Sequence, residues 1–211
     1  MTSTTGGPPQ TIFVIRHGEK PPDPTGPGLG DQESASRGPV GVDIDGNPNP
    51  HSLIPRGWQR SGALAALFAP ATGLLRSGLA VPGQLLSPSY GSASKTAARR
   101  TSQTILGLST RSGVPIDSPY AEGEEKALAQ TLVKHSTGTV LVCWEHHHIP
   151  DIATAIPTTA GTVMPTTWPG DRFDVIWSFT LVEGDANPPR YNFAQIPQQL
   201  LAGDNDHIIA P

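Results

Sequence analysis

The chain has 211 residues, 36% of them hydrophobic and 15% charged, and 14 basic against 18 acidic side chains give a formal charge of −4. That length suits one sizeable core, and the lack of any Lys/Arg-dense stretch argues against a nucleic-acid partner. A leader without a basic or apolar region, no apolar run of bilayer length and a single cysteine, Cys143, point to a cytoplasmic protein with no membrane partner.

Residues 1–10 read as a flexible Thr/Ser/Gly/Pro leader to one domain spanning residues 11–211. Ile12, Phe13, Val14 and Ile15 form an unbroken apolar run, the pattern of a strand buried on both faces, over residues 11–16. The run ends on Arg16, His17 and Gly18, where open α/β sheets bind ligands. Residues 20–55 form a Pro/Gly-rich insertion without periodicity, long enough to be a binding loop. Its stretch from Asp43 to His51 alternates acidic and amide residues like a calcium loop. Gly46 is out of register, however, and Ile54 stands where a closing Glu belongs, so turn chemistry explains it.

Residues 56–69 read as a helix stopped by Pro70, 83–87 as a short strand, and 95–108 as a helix capped by Ser94. A brief strand over 114–117 leads to a helix over 122–135 with an acidic first turn. Residues 139–144 make the second strong buried strand, which closes on Glu145, His146, His147 and His148. Pro150 opens a short helix over 149–156, and strands come next over 173–182 and, briefly at the edge, 191–193. This alternation predicts an α/β three-layer sandwich, its central sheet mostly parallel with helices on both faces.

In such a sheet the carboxyl ends of parallel strands share one edge, so His17 and His146 converge there. Arg100, in the first turns of a helix that follows a strand, reaches the same edge. Two imidazoles and several guanidinium groups brought together require an anion, and planar guanidinium suits phosphate oxygens. The histidine run also invites a metal reading through His146, His148 and Asp151. Its spacing places two ligands at most, so the site is read as free of metal.

RHGEK at 16–20, PRGWQRSGAL at 55–64, RTSQT at 100–104 and VLVCWEHHHIP at 140–150 resemble, in the same order, the motifs of the histidine phosphatase superfamily, also called phosphoglycerate mutase-like. The resemblance spans roughly residues 11–200. It implies a phosphohydrolase that cleaves a phosphate monoester, without metal or cofactor, through a phosphohistidine on His17. Arg16, Arg100 and a protonated His146 would complete the phosphate pocket, with His147 as a further contact. Arg99 is the neighbouring candidate, but Arg100 has the family's spacing to Gln103 and Thr104. One branch of the family carries its acid as an Asp directly after the second histidine; His147 stands there instead. The resemblance is therefore to the branch whose acid follows a middle strand, here in YAEGEEKAL, with Glu122 first and Glu125 and Glu124 behind it. A phosphomutase and a non-catalytic phosphate-binding module are the alternatives. The implied partner is a small phosphorylated substrate, and no motif names it or an oligomeric state.

Overall fold

The computed structural model describes residues 7–22, 38–90, 98–184 and 187–211, the side chain of His135 excepted. The predicted Ser94 cap, the first residues of its helix, residues 1–6 of the leader and residues 23–37 of the long insertion lie outside the described residues. Pro9 and Gln10, assigned to the leader by sequence, are tied down: the Tyr191 hydroxyl donates to the Pro9 carbonyl, and the Gln10 N–H to that of Gly138.

The two apolar runs form β1 (Thr11–Arg16) and β4 (Thr139–Trp144), parallel neighbours with five buried residues each. Burial of both faces is what such unbroken runs need. Beside them lie β2 (Gln84–Leu86), β3 (Ile116–Asp117), β5 (Val175–Leu181) and β6 (Tyr191–Pro197). The six strands are ordered β3-β2-β4-β1-β5-β6. Pairing is parallel from β3 to β1, but β5 runs against β1 and β6 against β5, so the sheet is mixed. Antiparallel neighbours need no crossover helix, and a short connection over 182–190 joins β5 to β6. β6 is 7 residues long, beyond the short strand expected; as an edge strand it is only half buried, which dilutes its apolar signal.

Among the described residues, four helices flank the sheet: α1 (Pro55–Phe68), α2 (Arg100–Ser112), α3 (Glu125–His135) and α4 (Ile149–Ala155). Successive strand residues point to opposite faces, which divides the core in two. Leu64 and Phe68 of α1 and Ile105 and Leu108 of α2 pack with Phe13, Ile15, Leu141 and Cys143. Leu128 and Leu132 of α3 and Ile149 and Ile152 of α4 pack with Ile12, Val14, Val140 and Val142. α2 ends at Gly113 in the left-handed region, later than expected. α3 begins at Glu125, because residues 122–123 form a turn that leaves Glu122 ahead of the helix. No helix among the described residues is long and apolar enough to cross a membrane.

The stretch with a calcium-loop look is a turn closed on its own backbone. Asp43 Oδ1 accepts the N–H groups of Asp45 and Asn47, and Val42 bridges Pro48. α1, opened by Pro55, presses Gly57 onto the backbone that leaves β1. A Cβ on Gly57 would lie 2.5 Å from the Glu19 carbonyl oxygen and 3.0 Å from the Glu19 nitrogen. Backbone cannot rotate away as a side chain can, so Gly57→Ala should cost about 3 kcal/mol in urea unfolding. An unchanged midpoint would mean that the 17–19 segment yields freely.

Candidate active site

Arg16 and Trp144 are Cα partners at the ends of β1 and β4, and the His17 N–H donates to the Trp144 carbonyl at 3.2 Å. His17 and Glu145 thus leave the sheet at one level, with His146 next. The His17 and His146 rings meet edge to face, their centroids 6.2 Å apart. The convergence expected from two apolar strands is therefore present.

His17 is 3% exposed, and its Nδ1 lies 2.7 Å from the Gly18 carbonyl oxygen. A carbonyl only accepts, so Nδ1 carries the proton and Nε2 keeps its lone pair. Burial, and then the charge of Arg16, push the pKa of His17 down to about 3, so the ring is neutral. Gly18 is fixed in turn: its N–H donates to Thr104 Oγ1 at 2.7 Å.

Arg16 is 1% exposed. Its Nη1 donates to the carbonyls of Pro169, Gly170 and Arg172 at 3.2, 2.7 and 3.1 Å, and the guanidinium lies 3.9 Å over the Phe173 ring. Nε and Nη2 are buried without a hydrogen-bond partner among the described residues. Burial lowers the pKa of this cation to about 10. A desolvated guanidinium with two idle donors is costly until an anion takes them.

His146 is buried, pairs through Nδ1 with the Glu145 carboxylate and stacks on His147 with ring centroids 3.9 Å apart. Burial lowers its pKa, and the adjacent Glu145 carboxylate offsets this only in part, so the open site favours neutral imidazole over the protonated form expected. A bound dianion would reverse that balance. Burial works against ionisation of Glu145, but its contact with the His146 ring and the bond it accepts from the His147 N–H hold it down to about 2. Glu145 is a site residue that no motif marks. The signal was available, since Glu145 follows β4 as directly as His17 follows β1.

A cavity of about 90 Å³ opens beside His17, lined also by Lys20, Ala98, Arg100, Thr101, Glu122 and Glu145. Arg100 Nη2 donates to the Pro50 carbonyl at 2.8 Å, which fixes the guanidinium against the long loop. Arg99 points elsewhere, over the Tyr90 ring. The family-like spacing after Arg100 has a local reason. Gln103 accepts from the Leu53 N–H and donates to Ser52, while Thr104 joins Gly18 to the Arg100 carbonyl.

Of the three glutamates left open by sequence, Glu122 lines the cavity. Burial and the nearby charge of Glu145 raise its pKa. Glu124 accepts from the Ala121 N–H, and the buried Glu125 accepts from the Trp144 indole and the Gly123 N–H. His147 is exposed and lies outside the cavity lining.

Among the described residues, two groups of three could approach a metal ion, His17 with Glu145 and His146, and Glu125 with His148 and Asp151; within each group the ligand atoms lie within 4.8 Å of one another. His146 and His148 fall in different groups, so the set imagined from sequence is not assembled. The charge of Arg16 acts on both imidazoles of the first group and opposes a cation there. In the second group Glu125 is already engaged and Asp151 is exposed.

No protein-family model and no curated protein matches the sequence. Among solved structures, a mycobacterial glucosyl-3-phosphoglycerate phosphatase, in its native form and with inorganic phosphate, aligns at a TM-score of 0.44 in both cases. These chains are 11% and 12% identical to this one; the alignments cover 88% of it and 97% and 95% of theirs. Likeness at this level fixes neither activity nor substrate.

Proposed function

We propose that this chain is a phosphohydrolase of the histidine phosphatase type, a single catalytic domain that cleaves small phosphate monoesters through a covalent phosphohistidine on His17. One observation carries the reading: a buried Arg16 with idle Nε and Nη2 donors stands beside a neutral His17 whose Nε2 lone pair is free. A tetrahedral dianion satisfies both at once.

In the first step Nε2 of His17 attacks phosphorus in line, the P–N bond forms, and the bond from phosphorus to the ester oxygen breaks. Arg16, Arg100 and His146, protonated once the dianion is bound, offset charge on the transferring oxygens. The departing alkoxide takes its proton from Glu122, whose raised pKa keeps more of it protonated than an ordinary carboxyl. Water then attacks the phosphohistidine, gives its proton to the Glu122 carboxylate and releases phosphate as the P–N bond breaks. The guanidinium groups supply the positive charge, so the scheme needs no metal. A cytoplasmic setting suits the lone, buried Cys143.

A panel of alkyl and aryl phosphates, quenched in alkali and in acid after brief exposure, tests the reading. The expected adduct survives alkali and is lost in acid; no turnover and no adduct across the panel would end the proposal. Glu122→Gln should form the phosphohistidine about 100-fold more slowly from an alkyl phosphate and with little change from a nitrophenyl phosphate, whose leaving group needs no proton. Equal losses on both would remove Glu122 as the acid.

A further inference from the structure

α2 begins at the cavity. Its N-cap residue, Arg99, makes no side-chain capping bond, and its first turn holds no acidic residue. The first N–H groups of a helix have no acceptor within the helix, and they carry partial positive charge. A helix end of this kind is not a site in itself. The second observation is Thr101, in that first turn. It is 4% exposed, lines the cavity together with His17, Arg100 and Glu122, and its Oγ1 is buried without a hydrogen-bond partner among the described residues. Buried hydroxyls are nearly always satisfied, because an unmade hydrogen bond costs stability.

We propose that Thr101 is a substrate-contacting residue whose hydroxyl donates to a phosphoryl oxygen held at the amino end of α2. The assignment rests on the phosphoryl reading above and adds to it a contact that no motif announced. In RTSQT, Arg100, Gln103 and Thr104 carry the resemblance, and Thr101 does not. The helix end contributes field and Thr101 contributes direction, since a hydroxyl rotates to track an oxygen through in-line transfer. The hydroxyl is then a group kept idle in the open site and used when the site is filled, as Nε and Nη2 of Arg16 are.

Thr101→Val keeps the shape and removes the hydroxyl; Thr101→Ser keeps the hydroxyl. Affinity for inorganic phosphate is measured by calorimetry, kcat/KM on a phosphate ester by phosphate release, and Tm by scanning calorimetry of the open protein. The Val variant should bind phosphate about 10- to 100-fold more weakly, lose kcat/KM by a similar factor and melt about 2–4 °C higher, because a hydroxyl without a partner has been removed. The Ser variant should restore most of both the binding and the rate. A merely structural hydroxyl gives the opposite sign, a Val variant that melts lower, and that result overturns the assignment. So does a Val variant that binds phosphate and turns over as the native protein does. If the native protein itself binds no phosphate, the phosphoryl reading fails and the Thr101 assignment fails with it.

Discussion

His17→Gln is expected to lower turnover of any phosphate ester by about 10⁴-fold or more and to abolish the acid-labile adduct, with the fold retained. The size comes from the role proposed for His17: a nucleophile removed from a covalent mechanism leaves only positioning and charge, and these would remain in Arg16, Arg100 and His146. Retention of the fold comes from the surroundings. The backbone N–H of residue 17 still reaches the Trp144 carbonyl, and Gly18 still reaches Thr104. Because the native ring has its pKa lowered from 6.5 to about 3, it stays neutral in mildly acid solution, and the acid limb of the native pH profile must come from other groups. Stability carries the same signature. Between pH 6.5 and about 3 the unfolded chain binds a proton at His17 that the folded chain does not, so native stability falls as pH is lowered through that window. The Gln variant should lose this share of the acid sensitivity. Phosphate release and urea midpoints across the window check both; a variant that turns over within tenfold of native would remove His17 from the chemistry.

The histidine pair was legible because it depends on short-range pattern and one topological rule. Two unbroken apolar runs give parallel central strands, and such strands deliver the residues at their carboxyl ends to one edge, so Arg16, His17 and His146 could be placed without coordinates. The β5 and β6 pair was not legible in direction, because an antiparallel hairpin and a parallel crossover leave similar apolar segments. Glu122 was one of three until packing separated them: Trp144 takes Glu125, the turn takes Glu124, and of the three only Glu122, in the turn ahead of α3, lines the cavity. The partners of Arg16 were out of reach. Three carbonyls over residues 169–172 and the Phe173 ring come from a Pro/Thr/Gly-rich loop with no periodicity to fix its course. Thr101 was equally silent, because what distinguishes it is a missing partner, and sequence records residue types rather than unmet bonds.

Arg60→Met is expected to destabilise the fold by about 3 kcal/mol and to reduce turnover through a residue that never meets substrate. Arg60, on α1, is 1% exposed and joins two carboxylates. Nη2 donates to Glu19 Oε1 at 2.8 Å and to Asp204 Oδ1 at 2.7 Å, and Nη1 donates to Gln198 at 3.0 Å. Asp204 also accepts the N–H groups of Leu200 and Leu201, so a single guanidinium ties α1 to the carboxyl-terminal segment and to Glu19, two residues past His17. Without it the two carboxylates face each other with only the half-exposed Arg56 between them, 3.0 Å from Glu19 and 3.7 Å from Asp204. Arg56 limits the loss, which puts the figure at the lower end for a broken buried pair. The pH dependence has a definite sign. Burial opposes ionisation of Asp204, and the Arg60 bond outweighs it, holding the group to about 2 against 3.8 unfolded. That stabilisation is complete above pH 3.8 and is lost as pH falls towards 2. The network also makes a prediction that a simple loss of packing does not. Combining Arg60→Met with Glu19→Gln and Asp204→Asn removes the stranded charges and should recover part of the stability, because most of the single-variant loss is the burial of two anions that share only Arg56 as a cation. A triple variant less stable than the single one, by urea unfolding at pH 7, would place the contribution in the geometry of the hydrogen bonds and not in the charges they join.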